Sequence, residues 1–143
     1  MNKKQDFINE IFKFVTLLEN SWDFIFSQVW LTVKNYQILY LISTWLDTSK
    51  RLLWGSYGSK PNMAKKLRFL EENNFVTRTI DSKDKRVFRF TITTKWSQAM
   101  DTISPIYENA ISIIFENIDD KDIHIGWIVI QKCLQNFNNH CPI

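Results

Sequence analysis

The sequence predicts a mainly α-helical (α+β) fold: a winged helix-turn-helix set between N- and C-terminal helices that form a dimerisation region. Three observations predict it. Residues Ser59 to Arg86, SKPNMAKKLRFLEENNFVTRTIDSKDKR, read as an amphipathic helix followed by a hairpin with a basic tip. Positive charge gathers there: Asp47 to Lys95 holds 12 Lys/Arg against 5 Asp/Glu, a net +7, and the remainder holds 6 against 10, a net −4. Both ends of the chain carry apolar helical patterns too broad to be covered from one side. In so short a chain a partner subunit is a natural source of that cover.

The totals bound the rest. The 143 residues suit one domain, 1–143, with a real core. Hydrophobic residues at 45% and aromatics at 15% argue against disorder. An overall charge of +3 is too small to indicate nucleic acid by itself, so the distribution carries the argument. Cys133 and Cys141 show no CxxC or Cys/His metal spacing and read as ordinary thiols, with a redox pair as the alternative. No apolar run approaches about 18 residues, and no signal-peptide pattern is present, so a cytoplasmic protein away from membranes is expected.

Residues 5–19 place Phe7, Ile8, Ile11, Phe12, Phe14, Val15, Leu17 and Leu18 at helical spacing in a broad stripe, and the stretch from Trp22 to Trp30 continues apolar. Thr32 is suited to cap a second helix carrying Val33, Tyr36, Leu39 and Tyr40. After a polar break at Ser43-Thr44, the run Asp47-Thr48-Ser49 caps a short helix, SKRLLWGSY, with Gly55 and Gly58 bracketing the turn that follows. Ser59 then caps the next helix, with Pro61 in its first turn. Met63, Leu67 and Leu70 form its buried stripe, while Asn62, Lys65, Arg68 and Glu72 face away. Asn74 suits the left-handed turn that ends it. Val76 to Ile80 and Val87 to Thr93 are the hairpin strands, with Phe88, Phe90 and Ile92 on one face. Thr93 or Thr94 opens a helix that Pro105 is expected to kink or split. Asp119-Asp120 caps a final helix, and the tail NNHCPI frays.

Helix, turn, helix and basic hairpin together make a duplex reader: the helix suits a major groove, and the hairpin tip reaches a neighbouring minor groove. The middle of the chain also resembles the MarR family of bacterial transcription regulators. Leu31-Thr32 with Tyr36 and Leu39 is similar to that family's LT…Q-aromatic…L helix. Leu52-Leu53, Ser59-Lys60-Pro61-Asn62-Met63 and Leu70-Glu71 keep the spacing of its helix-turn-helix. Phe75-Val76-Thr77-Arg78 resembles its GLV-x-R start of the wing. Asp81-Ser82-Lys83-Asp84-Lys85-Arg86 resembles its D-x-R-D-x-R wing, with Lys83 for the first Arg, and Thr91 to Lys95 resembles LT-x-x-G. Asn74 and Trp96 stand where the family usually has glycine. The match covers about residues 31–100. It implies a two-fold dimer with a winged helix-turn-helix over 31–95 and dimerisation helices over 4–28 and 96–138.

The residues expected to meet DNA are Ser59, Lys60, Asn62, Lys65, Lys66 and Arg68 on the helix, and Lys83, Asp84, Lys85 and Arg86 on the wing. Lys can donate to guanine and Asn can pair with adenine, while other contacts go to phosphate. The resemblance implies that Arg86 enters the minor groove with Asp84 holding it, where a narrow A·T-rich groove concentrates negative potential. Arg78 and Arg89 lie on the strands and serve either DNA or an acidic partner. Trp22, Trp30, Tyr36 and Trp45 are candidates for a cleft that takes a small aromatic effector, against the plainer reading of core packing. His124 reads as an interface histidine, and no catalytic pattern, metal set or cofactor motif is visible. A DNA-binding repressor acting as a homodimer is therefore expected. Its rivals are a winged helix used for protein–protein contact and a replication or mobilisation factor of a mobile element.

Overall fold

The computed structural model describes residues 2–56 and 59–140, except the side chains of Trp54 and Ser56. Its elements run α1 (Lys3–Ser27), α2 (Val33–Ser43), α3 (Ser49–Ser56), α4 (Lys60–Glu72), β1 (Val76–Ile80), β2 (Phe88–Ile92), α5 (Thr94–Ile114) and α6 (Asp120–His140). The chain divides into two units, Met1–Tyr107 and Glu108–Ile143.

Helix starts follow local polar chemistry. Asn2 Oδ1 accepts from the Lys4 N–H at 3.2 Å, and Thr32 Oγ1 accepts from the Asn35 N–H at 3.2 Å. A second cap on α2 comes from far along the chain, where the Asp23 carboxylate accepts from the Val33 N–H at 2.6 Å. Thr48 Oγ1 accepts from the Arg51 N–H at 3.3 Å and starts α3. Ser59 occupies the N-cap of α4 in extended geometry, but its side chain makes no capping bond; Pro61 lies in the first turn as expected.

Helix ends follow a shared pattern. After α1, α2 and α4 the chain turns left-handed at Trp30 (φ 63°), Trp45 (φ 91°) and Asn74 (φ 60°). In each case the next N–H reaches back five residues to a carbonyl: Leu31 to Phe26 at 3.0 Å, Leu46 to Leu41 at 3.1 Å and Phe75 to Leu70 at 2.9 Å. This is the Schellman closure, here built without glycine. Leu31, Leu46 and Phe75 are all buried, so each closure also anchors the connection in the core.

The core of the first unit collects Trp22, Ile25 and Phe26 of α1, Ile38, Leu39 and Ile42 of α2, and Leu52 of α3. Met63, Leu67 and Leu70 of α4, Phe90, and Trp96, Ala99 and Ile103 of α5 complete it. Phe26 stacks on Tyr36 with centroids 4.3 Å apart, and Trp22 packs on Tyr107 at 4.8 Å. The first turns of α5 therefore belong to this core, besides the dimerisation role expected of 96–138.

Three further expectations are corrected. Gly55 does not begin a turn but lies within α3, where an added Cβ would meet Leu46 Cδ1 of the α2–α3 connection at 2.8 Å; the close approach of that side chain explains it. Tyr57 and Gly58 lie outside the described residues. Pro105 does not split α5, which runs from Thr94 to Ile114 through it. Phe88 and Ile92 are not buried with Phe90: Phe88, at the outer end of the two-stranded ribbon, is exposed, and Ile92 is half-buried.

In the second unit, Asn117 ends α5 with φ 60°, and α6 follows. No residue of α6 is buried. Ile123, Trp127, Ile130, Leu134 and Phe137 recur at spacings of four, three, four and three and are all exposed. Cys133 is exposed, and Cys141 lies outside the described residues.

Candidate nucleic-acid interface

The α4 side chains divide as helical periodicity requires. Met63, Leu67 and Leu70 are buried, Lys66 is half-buried at the edge of that stripe, and Lys60, Asn62, Lys65 and Arg68 are exposed. Ser59, with no capping bond to make, is exposed too.

The wing is an antiparallel pair in the register Val76↔Ile92 to Ile80↔Phe88. It is tied to the rest of the unit at three places. Arg78 of β1 pairs with Glu71 of α4 at 3.1 Å. At the end of the ribbon nearest the core, Thr93 Oγ1 donates to the Asn74 carbonyl at 2.7 Å, and Lys95 Nζ donates to the Asn73 carbonyl at 2.8 Å. On the outer edge of β2, the α2–α3 turn makes one isolated antiparallel bridge. Thr48 bridges Arg89, and the Phe90 N–H donates to the Asp47 carbonyl at 2.7 Å.

Arg89 is the centre of that last attachment. Its guanidinium donates to Asp47 Oδ2 at 2.7 Å and, through Nε, to Asp81 Oδ2. Asp81 is only 7% exposed. It accepts from the Asp84 and Lys83 N–H groups, each at 2.8 Å, so one carboxylate folds the wing turn and anchors Arg89. Those backbone hydrogen bonds, followed by the one from Arg89, lower its pKa to about 2. For Asp47, burial acts upward, but the hydrogen bond and charge of Arg89, a backbone hydrogen bond and the hydrogen bond from Arg51 outweigh it and hold the group below its ordinary value. Sequence reading left Arg89 undecided between DNA and an acid; the structure gives it two acids. It missed Asp81 as an anchor because only the Asp84–Arg86 pair stood out in the motif.

At the tip, Asp84 accepts from Arg86 Nε at 3.1 Å, Nη2 at 3.2 Å and the backbone N–H at 3.0 Å. Asp84 sits below its ordinary pKa, first through the Arg86 side chain and then through its N–H. The Arg86 side chain nevertheless remains 91% exposed. It is thus oriented by its neighbour while its outer edge is open to a partner. Lys83 and Lys85 are exposed beside it.

A charge census separates two populations. Of the five acids in the basic block, Asp47, Glu71, Asp81 and Asp84 are each taken up by an arginine of the same block. Lys60, Lys65, Lys66, Arg68, Lys83 and Lys85 make no ion pair among the described residues. The arginines of the strands hold the scaffold together, and the helix and tip present unpaired cations to solvent.

The four aromatics named for an effector cleft lie in different surroundings. Trp22 is buried core, and Trp30 and Trp45 are exposed at 84% and 68% on separate helix ends. Tyr36 lines a cavity of about 540 Å³ with Gln37, Tyr40, Leu41, Gly55 and Tyr107, and Trp30 borders a separate groove beside α4. Burial, and then the nearby Tyr107 and Tyr40, push the Tyr36 phenol above its ordinary pKa, so it stays neutral at physiological pH. Periodicity identified large aromatics but could not tell which of them left space beside themselves. Among the described residues no cluster of His, Cys, Asp or Glu is large enough to hold a metal ion. No described helix is long and apolar enough to cross a membrane.

No protein-family profile matches the chain, and no curated protein matches it in sequence. Solved structures do match it in fold. A MarR/EmrR family transcriptional regulator from Acinetobacter sp. ADP1 superposes with a TM-score of 0.82 at 14% identity, covering 97% of this chain and 99% of that one. MepR of S. aureus, solved as a complex with DNA, gives a TM-score of 0.75 at 16% identity, over 89% and 94% of the two chains. An organohalide-sensing regulator, RdhR, solved with 2,4-dichlorophenol bound, gives 0.76 at 14% identity, over 99% and 82%. At these identities the likeness is one of fold: the chain has the winged-helix architecture of the MarR regulators.

Proposed function

We propose that this protein is a sequence-specific double-stranded DNA-binding transcription regulator, acting as a homodimeric repressor on a pseudo-palindromic operator. The observation that carries the reading is the set of six cations on α4 and the wing tip that are unpaired among the described residues, beside acids already neutralised by arginines. Such a surface is complementary to a polyanion whose grooves match a helix and a ribbon. Ser59, Lys60, Asn62, Lys65, Lys66 and Arg68 meet the major groove and its phosphates. Arg86, oriented by Asp84 and flanked by Lys83 and Lys85, meets the adjacent minor groove. MepR, which shares the fold, has been solved in complex with DNA, and this supports DNA as the partner.

The test is selection of bound sequences from a random duplex pool. A two-fold symmetric consensus with half-sites about 34 Å apart is expected. Absence of binding to every duplex, even at low salt, would leave the winged helix as a protein-contact module. Substituting Lys65 or Lys66 by Gln should flatten the dependence of log Kd on log salt by about 0.9 for each phosphate that the variant no longer neutralises.

A small aromatic effector finds its place in the Tyr36–Tyr40–Tyr107 cavity, which offers phenolic hydroxyls, an amide and apolar walls. The dichlorophenol complex of RdhR, on the same fold, supports that class of ligand. Titration with 2,4-dichlorophenol should release bound duplex from the wild type and not from Tyr36→Ala.

A further inference from the structure

An open groove of about 730 Å³ runs between α4 and the turn that joins α1 to α2. Lys65, Lys66 and Phe69 line one side, and Trp30, Thr32 and Asn35 line the other. Asn35 is 7% exposed. Its backbone N–H donates to Thr32 Oγ1, but its side-chain amide makes no hydrogen bond with any described residue. A buried amide left without a partner bears the whole desolvation penalty of the group. Here the partner's place is the groove that the amide lines.

Trp30 adds a second, independent observation. It is 84% exposed and held at φ 63°, a conformation costly for a bulky side chain. The bonds from Trp30 N–H to Ser27 and from Leu31 N–H to Phe26 fix it there. An indole kept in water on a strained backbone gains nothing for the free protein. Beside Phe69 it supplies an apolar flank, while Lys65 and Lys66 supply unpaired charge and Asn35 a buried donor. The matching ligand is an anion carried on an apolar ring, repeated along a path parallel to α4. Deoxyribose phosphate has that chemistry.

We infer that the groove seats one sugar–phosphate strand of the bound duplex. The Asn35 amide donates to a phosphate oxygen, Lys66 lies beside the same phosphate, and Trp30 packs on the adjoining sugar. This rests on the DNA-binding reading and extends its interface from α4 onto the α1–α2 turn. The groove is open along its length, and its lysines belong to the same exposed helix that reads the bases, so a continuous strand fits it better than an enclosed small molecule.

The test uses the full chain and the duplex recovered from the random pool, with affinity read by fluorescence anisotropy. Asn35→Ala should weaken binding about tenfold, as expected for a hydrogen bond to a charged group. Asn35→Asp should weaken it further by like-charge repulsion, and Asn35→Gln should recover most of the affinity. Trp30→Gly should bind several-fold more weakly while melting at a higher temperature, which no purely structural role would produce. Should Asn35→Ala fail to fold, Trp30→Gly carries the test alone. Replacing phosphates one at a time by methylphosphonate should reveal one position at which wild type and Asn35→Ala bind equally. Wild-type affinity in the folded variants, or no such phosphate, overturns the inference while duplex binding stands. Failure of the wild type to bind any duplex overturns both. Saturable binding of benzoate that Asn35→Ala abolishes, with duplex affinity unchanged, assigns the groove to a small aromatic anion instead.

Discussion

Trp30 and Trp45 sit where helices usually place glycine, at φ 63° and 91°. A left-handed conformation costs a side-chain-bearing residue about 1–2 kcal/mol, so the two ends store strain that the closures beneath them hold in place. Asn74 in the third closure was readable from sequence, because Asn tolerates this region and follows the last apolar position of α4. The two tryptophans gave no such signal, since nothing in their chemistry favours positive φ. Trp45→Gly should therefore stabilise the protein by about 1 kcal/mol, less a few tenths for the Arg51 guanidinium that lies 5.8 Å from its ring. Urea unfolding of the two proteins measures the difference, and an unchanged or lower midpoint would contradict the strain argument. Asp81 makes a prediction of opposite visibility. Its pKa falls from 3.8 in an unstructured chain to about 2 in the fold. The ionised form is thus favoured by folding. Its stabilisation is complete above pH 3.8 and is lost as pH falls towards 2. Asp47 and Asp84, also held below their ordinary values, act in the same direction. The wing amides followed by NMR should keep their shifts from pH 8 to about 4 and change only below that.

At the scale of elements, α4 and the hairpin were legible because one amphipathic helix and one polar turn are local patterns. The attachment of the wing was not, because Arg89 meets an acid 42 residues earlier in the chain, beyond the reach of any short period. Of the two outcomes expected at Pro105, a kink or a split, the split does not occur, since α5 passes through it unbroken. The Asp47–Arg89–Asp81 link implies that the wing tip is aimed from its far edge. Arg89→Met, of similar length without the charge, should leave the helices folded and release β2 from the α2–α3 turn. Arg86→Ala should then cost on the order of tenfold in duplex affinity in the wild type. In the Arg89→Met background it should cost almost nothing, because the tip no longer delivers Arg86 to the groove. Independent, additive losses in this double-mutant cycle would mean that Arg89 only stabilises the ribbon.

For the whole molecule, the first unit closes its own core, whereas α6 has no buried residue and α1 leaves Phe7, Phe12, Phe14 and Leu17 exposed. The breadth of these apolar faces was plain in the sequence. Which turns of α5 joined the core was not, since the buried and exposed stretches of that helix differ little in composition. The stripe Ile123, Trp127, Ile130, Leu134 and Phe137 follows the alternating spacing of helices that pack along a shared seam. A second copy of the chain would supply such a surface, and two-fold symmetry would then present two recognition helices to one face of the duplex. Trp127→Glu combined with Leu134→Glu places two charges on that seam without touching a core residue. The variant should run as a monomer by light scattering and keep the near-ultraviolet signal of the Trp22–Phe26–Tyr36 cluster. Its affinity for a symmetric operator should fall at least a hundredfold, because each half-site is then bound without the effective concentration that its twin provides. Its affinity for an isolated half-site should stay that of the wild-type head. A dimer that survives both charges would move the subunit contact elsewhere, whereas a monomer that keeps full operator affinity would remove symmetry from the mode of binding.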